Sequence, residues 1–179
     1  PDLVNMAPKD GKELEMMLDF ALHLNKPVAI RYPRGQVSLF QDGKENQGIE
    51  LGKPEFLRAG DDFLVIALGS MVGPSLEAAD MLQREGYSGT VVNARFVKPL
   101  DKDFLEELGK KFKFIFTAEE GIIDSGFGCA VESLLLKPVV KIGLPCKFIP
   151  HGKRELLLDK YGLSAKKIAD KIKLIICPK

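Results

Sequence analysis

Tryptophan is missing and cysteine is scarce, with 3 residues in 179, at Cys129, Cys146 and Cys177, and no CxxC pair. The 2 histidines, His23 and His151, do not cluster either. This spacing argues against a zinc site and against a disulfide framework, and it leads us to expect a reducing cytoplasm. Long apolar runs are absent too, none approaching the roughly 20 residues that a membrane span needs, which predicts no spanning helix. Charge of one sign is not in excess: 26 basic residues against 25 acidic ones leave a net charge of +1. Composition therefore offers no electrostatic footprint for nucleic acid or an anionic membrane, and any bound anion must be held by local groups. The opening residues lack a basic stretch followed by a long apolar one, so no signal peptide is expected. The missing initiator methionine and the apolar opening at Leu3-Val4 raise the expectation that the chain starts mid-protein.

What is present is ordinary for a globular chain, 45% apolar and 28% charged, in a length sufficient for one full core and part of another. Residues 2 to 7 (DLVNMA) read as a buried strand. Asp10-Gly11-Lys12-Glu13 fits a capping box ahead of Leu14, Met17, Leu18, Ala21 and Leu22 at helical spacing. Val28 to Tyr32 is β-prone and closed by Pro33. The glycine-punctuated, polar segment from Gly35 to Gly52 is longer than most connections inside a domain and reads as an interdomain linker.

Beyond it, Pro54 to Ala59 and Phe63 to Leu68 predict two strands joined as a hairpin through Gly60-Asp61-Asp62. A helix carrying Leu76, Ala79 and Leu82 then ends at Gly86, followed by a strand at Thr90 to Ala94. Next come a helix capped by Asp101, a strand at Phe114 to Thr117, a helix over 126–136, a strand at Val139 to Ile142 and a closing helix capped by Ser164. Continuous apolar strands alternating with helices predict a mostly parallel sheet covered on both faces, with the hairpin adding one antiparallel strand.

Few residues suggest chemistry. Arg31-Tyr32-Pro33-Arg34-Gly35 places two guanidinium groups at a strand end, where α/β sheets gather ligand sites. Arginine's planar fork suits a phosphate, although spacing alone favours a decorated domain edge or ordinary ion pairs. Gly69-Ser70 and the GIIDSGFG stretch from Gly121 to Gly128 follow strands and precede helices, where free N–H groups can bind an anion; glycines at such turns more often serve tight packing, and neither stretch is taken as the site. Glu119-Glu120 could serve as a general base or as structural pairing partners. No nucleophilic triad can be assembled around either histidine.

Taken in order, Met6-Ala7-Pro8-Lys9-Asp10, Ala29-Ile30-Arg31-Tyr32-Pro33-Arg34-Gly35, Gly69-Ser70-Met71, Val92-Asn93-Ala94-Arg95-Phe96-Val97-Lys98-Pro99-Leu100-Asp101, Glu119-Glu120, Gly126-Phe127-Gly128 and Gly143-Leu144-Pro145 span nearly the whole chain. This series resembles the C-terminal portion of the 1-deoxy-D-xylulose-5-phosphate synthase family of transketolase-like thiamine-diphosphate enzymes. The resemblance implies residues 1–36 as the end of a pyrimidine-binding α/β domain, 37–52 as linker, and 53–179 as a three-layer α/β/α transketolase C-terminal-type domain.

It further implies an enzyme, a cytoplasmic homodimer, that condenses pyruvate with glyceraldehyde 3-phosphate for isoprenoid and thiamine biosynthesis. Thiamine diphosphate and Mg2+ would be held by upstream domains. By position Arg31 matches the family's substrate-phosphate arginine, with Arg34 a weaker candidate for the same anion. No catalytic, cofactor-binding or metal-ligating residue is expected in this stretch, so alone it should be inactive. Two rivals remain: the C-terminal subunit of a split transketolase-like enzyme, and a non-catalytic α/β interaction module. Against the module, two strands and a helix at residues 1–35 cannot bury their faces unaided.

Overall fold

The computed structural model describes residues 2–35 and 48–177. Most of the expected linker, 37–47, lies outside the described residues. The chain opens as β1 (Val4–Met6), α1 (Gly11–His23) and β2 (Val28–Ile30), with β1 and β2 parallel. The remainder runs β3 (Glu55–Arg58), β4 (Phe63–Ala67), a 3₁₀ turn (Gly69–Met71), α2 (Val72–Arg84), β5 (Gly89–Asn93), β6 (Phe96–Lys98) and α3 (Lys102–Lys111). It closes with β7 (Ile115–Ile122), α4 (Phe127–Leu135), β8 (Val140–Leu144), α5 (Arg154–Lys160) and α6 (Ala165–Ile176).

Five strands form the main sheet in the order β3-β5-β4-β7-β8, parallel except for β3. β4 sits in the middle, and every one of its residues is buried. Successive side chains on a strand point to opposite faces, so this one strand feeds two cores. Phe63, Val65 and Ala67 pack with α2 and α6, while Leu64 and Ile66 pack with α3 and α4. The result is the three-layer arrangement expected from the unbroken apolar strands. Among the described residues no helix is long and apolar enough to cross a membrane.

The expected β3–β4 hairpin is not formed. β3 pairs antiparallel with β5 instead, and β4 pairs with β5 and β7. The residue patterns explain the exchange. β4 is apolar on both faces and takes the centre, whereas β3 alternates buried Glu55 and Leu57 with exposed Phe56, which suits an edge. The Gly60-Asp61-Asp62 turn still closes, but onto the start of β5. The Asp62 N–H donates to the Ser88 carbonyl at 2.8 Å, and the Ser88 N–H donates to the Asp62 carboxylate at 2.6 Å.

Caps form where the side chains predict them, with one exception. The Asp10 carboxylate accepts the Glu13 N–H at 2.7 Å at the start of α1. Ser164 stands at the cap position of α6 but donates its hydroxyl to Asp159 at 2.7 Å rather than closing the helix. At α3 the Asp101 carboxylate accepts the Phe104 N–H at 3.1 Å and pairs with Lys53 at 2.7 Å. Burial pushes the Asp101 carboxyl up, but the bonds from Lys53 and from the Phe104 N–H outweigh it and hold the group below its ordinary 3.8. With the folded value below the unfolded one, the stabilisation is complete above about pH 4 and is lost as pH falls through the depressed folded value. Asp101→Ala should therefore cost about 1 kcal/mol at pH 7. In urea titrations the gap to the parent chain should close as the pH drops below about 4.

The opening unit is not left as two strands and a helix. β6 crosses from the main domain and pairs antiparallel with β1, completing a three-stranded sheet in the order β2-β1-β6. Phe96 of β6 enters a small separate core with Val4, Met6 and Met17. Beneath this junction lies a buried polar cluster. Glu13 accepts from the Lys9 backbone N–H at 2.7 Å, from Arg95 Nε at 2.7 Å and from Asn93 Nδ2 at 2.9 Å. Glu55 accepts from Lys9 Nζ at 2.6 Å and from Asn93 Nδ2 at 3.0 Å, with Arg95 Nη2 3.5 Å away. Two carboxylates and two cations balance, which is what buried charge requires.

Candidate functional site

Parallel strands deliver their C-terminal turns to one side of a sheet, where ligand sites gather. Pairing of β2 with β1 continues one residue past its end, the Arg31 N–H donating to the Met6 carbonyl at 2.9 Å. Arg31 is thereby set beside the turn after β4 and the latter half of β7. An open cleft of about 210 Å³ lies there, with Arg31, Tyr32 and Pro33 on one wall and Gly69, Ser70 and Glu120 on the other, Ala7 adding to the lining.

The Arg31 side chain is exposed, and its Nη1 donates to the Glu120 backbone carbonyl at 3.1 Å. Among the described residues no carboxylate forms an ion pair with it, and its guanidinium lines the cleft. Arg34 is exposed as well but does not line the cleft. The cleft thus joins the two walls through one arginine.

Adjacent carboxylates on β7 have opposite environments, as strand alternation requires. Glu119 is 3% exposed and accepts the Phe127 N–H at 3.0 Å and the Gly128 N–H at 2.8 Å. Its negative charge fills the electropositive start of α4, so the anion position offered by the GIIDSGFG turn is occupied by the protein itself. A Cβ on Gly121 or Gly126 would strike that carboxylate, which is why the turn is glycine at both places. Glu120 turns to the cleft. It accepts from Ser70 Oγ at 2.8 Å and from Arg154 twice, Nε to Oε1 at 3.1 Å and Nη2 to Oε2 at 2.5 Å. Both acids are engaged in structure, in line with the pairing reading of the sequence.

At Gly69 the backbone is left-handed, with φ of 58°, and a Cβ there would meet the Ala7 Cβ at 3.1 Å. The glycine lets the opening segment approach the cleft. Neither histidine joins the site: the His23 ring binds its own helix at the Asp19 carbonyl, and His151 is exposed. Among the described residues no three His, Cys, Asp or Glu side chains group as metal ligands.

Residues 52–168 match the family described as Transketolase, C-terminal domain. The chain belongs to this family. Curated relatives named 1-deoxy-D-xylulose-5-phosphate synthase match it through a C-terminal portion. The synthase of Dictyoglomus turgidum is 45% identical over 177 residues, covering 96% of this chain and 29% of that enzyme. That of Gloeobacter violaceus is 44% identical over 182 residues, covering 97% of the chain and 28% of the relative. The chain thus spans little more than a quarter of the length of these relatives.

Among solved structures, a split gene transketolase described as an inactive beta4 tetramer superposes with a TM-score of 0.89 at 30% identity, covering 98% of this chain and 58% of that one. Transketolase from Campylobacter jejuni shares the fold with a TM-score of 0.76 at 21% identity, over 96% of this chain and 26% of its own.

Within this transketolase-type chain, two features escaped reading from sequence. One is the Lys9, Glu13, Glu55, Asn93 and Arg95 cluster, for which only the capping-box Glu13 gave a signal. The other is Arg154, in a segment without strong periodicity, which meets Glu120 across 34 residues.

Proposed function

We propose that this chain is the C-terminal part of an enzyme condensing pyruvate with glyceraldehyde 3-phosphate to 1-deoxy-D-xylulose 5-phosphate and CO2, and that Arg31 holds the phosphate of the acceptor. The observation that carries this reading is the exposed Arg31 guanidinium on the wall of the cleft, set there by β2 pairing and the Glu120 carbonyl. Identity above 40% to named synthases across nearly the whole chain supports the reaction class. In this reading residues 1–36 end a pyrimidine-binding domain, 37–52 link, and 53–179 form the C-terminal domain of a cytoplasmic homodimer.

Thiamine diphosphate supplies the decarboxylation and carbon–carbon bond formation when bound. In this reading the residues of this chain bind and orient the acceptor, through Arg31 on the cleft wall. Holding the phosphate lets binding energy from a remote group keep the aldehyde carbon of the acceptor at the reacting centre. Arg34 is assigned a lesser share of the same anion, or a structural role, because it stands outside the cleft.

The test is Arg31→Ala in the holoenzyme containing this chain. Loss of charge-assisted bonds to phosphate should raise the KM for glyceraldehyde 3-phosphate by about 10- to 100-fold. The KM for pyruvate should hardly move, and an unchanged acceptor KM would remove the role. A second reading is favoured by the close superposition on a split gene transketolase: this half could be a separate polypeptide. The coding frame upstream of Pro1 separates the two, a start codon indicating the split subunit.

A further inference from the structure

We propose that Arg154 is a positioning residue for the Arg31 cleft: it cancels the Glu120 carboxylate that would otherwise repel the acceptor's phosphate. This rests on the phosphate reading of the cleft given above. A dianion entering there meets Arg31 on one wall and Glu120 on the other. Glu120 is only partly screened from solvent, and like charge at such a wall opposes the anion that Arg31 attracts.

The forked pair from Arg154 covers both carboxylate oxygens, and Ser70 adds a hydrogen bond to Oε2. With Glu120 neutralised, the charge left facing the cleft is that of Arg31. The Glu120 backbone carbonyl, on β7, receives Arg31 Nη1 at 3.1 Å independently of the Glu120 side chain. Arg154 therefore acts on the sign of the cleft, without lining the cleft itself. It sits on α5, a helix with no buried residue, so its replacement leaves both main cores intact.

Kinetics of the holoenzyme decide the matter, with glyceraldehyde 3-phosphate and unphosphorylated glyceraldehyde as alternative acceptors. Arg154→Ala should raise the KM for the phosphorylated acceptor about five- to tenfold, with kcat within about twofold and the unphosphorylated acceptor unaffected. Arg154→Lys should recover part of the loss. Glu120→Gln alone, which keeps the backbone carbonyl and an acceptor for Ser70 but leaves the Arg154 charge unopposed, should lower that KM. The double change Glu120→Gln with Arg154→Ala should return to within about twofold of the parent, because the charge to be cancelled is gone.

Three outcomes overturn the proposal: a silent Arg154→Ala beside an effective Arg31→Ala, a double variant no better than Arg154→Ala, or a raised KM in Glu120→Gln. If Arg31→Ala is silent too, the phosphate reading falls along with this one.

Discussion

Replacing Arg95 with alanine should destabilise the chain by about 3 to 5 kcal/mol, because removing one partner from a buried ion cluster strands the others. The side chain is 4% exposed, and its loss leaves Glu13 and Glu55 with Lys9 as the remaining cation of the cluster. Two carboxylates would then share one counter-charge in a region closed to water. For a chain of this length such a loss corresponds to a fall in Tm on the order of 10 °C. The paired change Glu13→Gln with Arg95→Met should cost less than Arg95→Ala alone, since it removes a charge of each sign and refills the volume. Thermal unfolding followed by circular dichroism measures both. A Tm within about 2 °C of the parent for Arg95→Ala would mean that the cluster contributes little to stability.

The effect should also be local. Arg95 precedes β6, and its bonds run to α1 and β3, so the junction between the opening unit and the main sheet loosens first. Hydrogen exchange should accelerate in β1 and α1 before it does in β4.

Glu119→Ala should cost about 2 to 4 kcal/mol, on the grounds that the buried N–H groups of Phe127 and Gly128 lose their acceptor and α4 loses the anion at its positive end. Glutamine in its place keeps one carbonyl oxygen, so about half of the loss should return. Urea unfolding at constant pH gives both values. A general base would behave differently, with full stability and lost turnover. A parent-like unfolding midpoint in Glu119→Ala would contradict the capping role.

Glu119 also shows how far sequence reading reaches. The run Glu119-Glu120 marks a place where charge enters a β-strand, but not which acid turns inward. That depends on which face of β7 meets α4, a matter of register between β7 and β4. Arg31 is similar. Its position at a strand end could be read from Val28 to Pro33, and its nearness to Ser70 and Glu120 could not, because those residues reach the cleft from a turn and a strand 39 and 89 positions away. The hairpin expectation failed for the same reason. A short turn between two β-prone runs favours adjacency, but the fully apolar Phe63–Ala67 gains more as the central strand between β5 and β7.

By itself the sequence determined the alternation of strands and helices, the caps at Asp10 and Asp101, the parallel three-layer class and the arginine offered at the end of β2. These follow from local spacing, since apolar periodicity and capping chemistry act within a few residues. Only the tertiary structure decided that β6 completes the sheet of the opening unit and that Lys9, Glu13, Glu55, Asn93 and Arg95 bury their charges together. It also decided that Arg154 meets Glu120 beside Arg31. Each of these joins residues tens of positions apart, and buried charge finds its partners only when the elements carrying them close around a shared core.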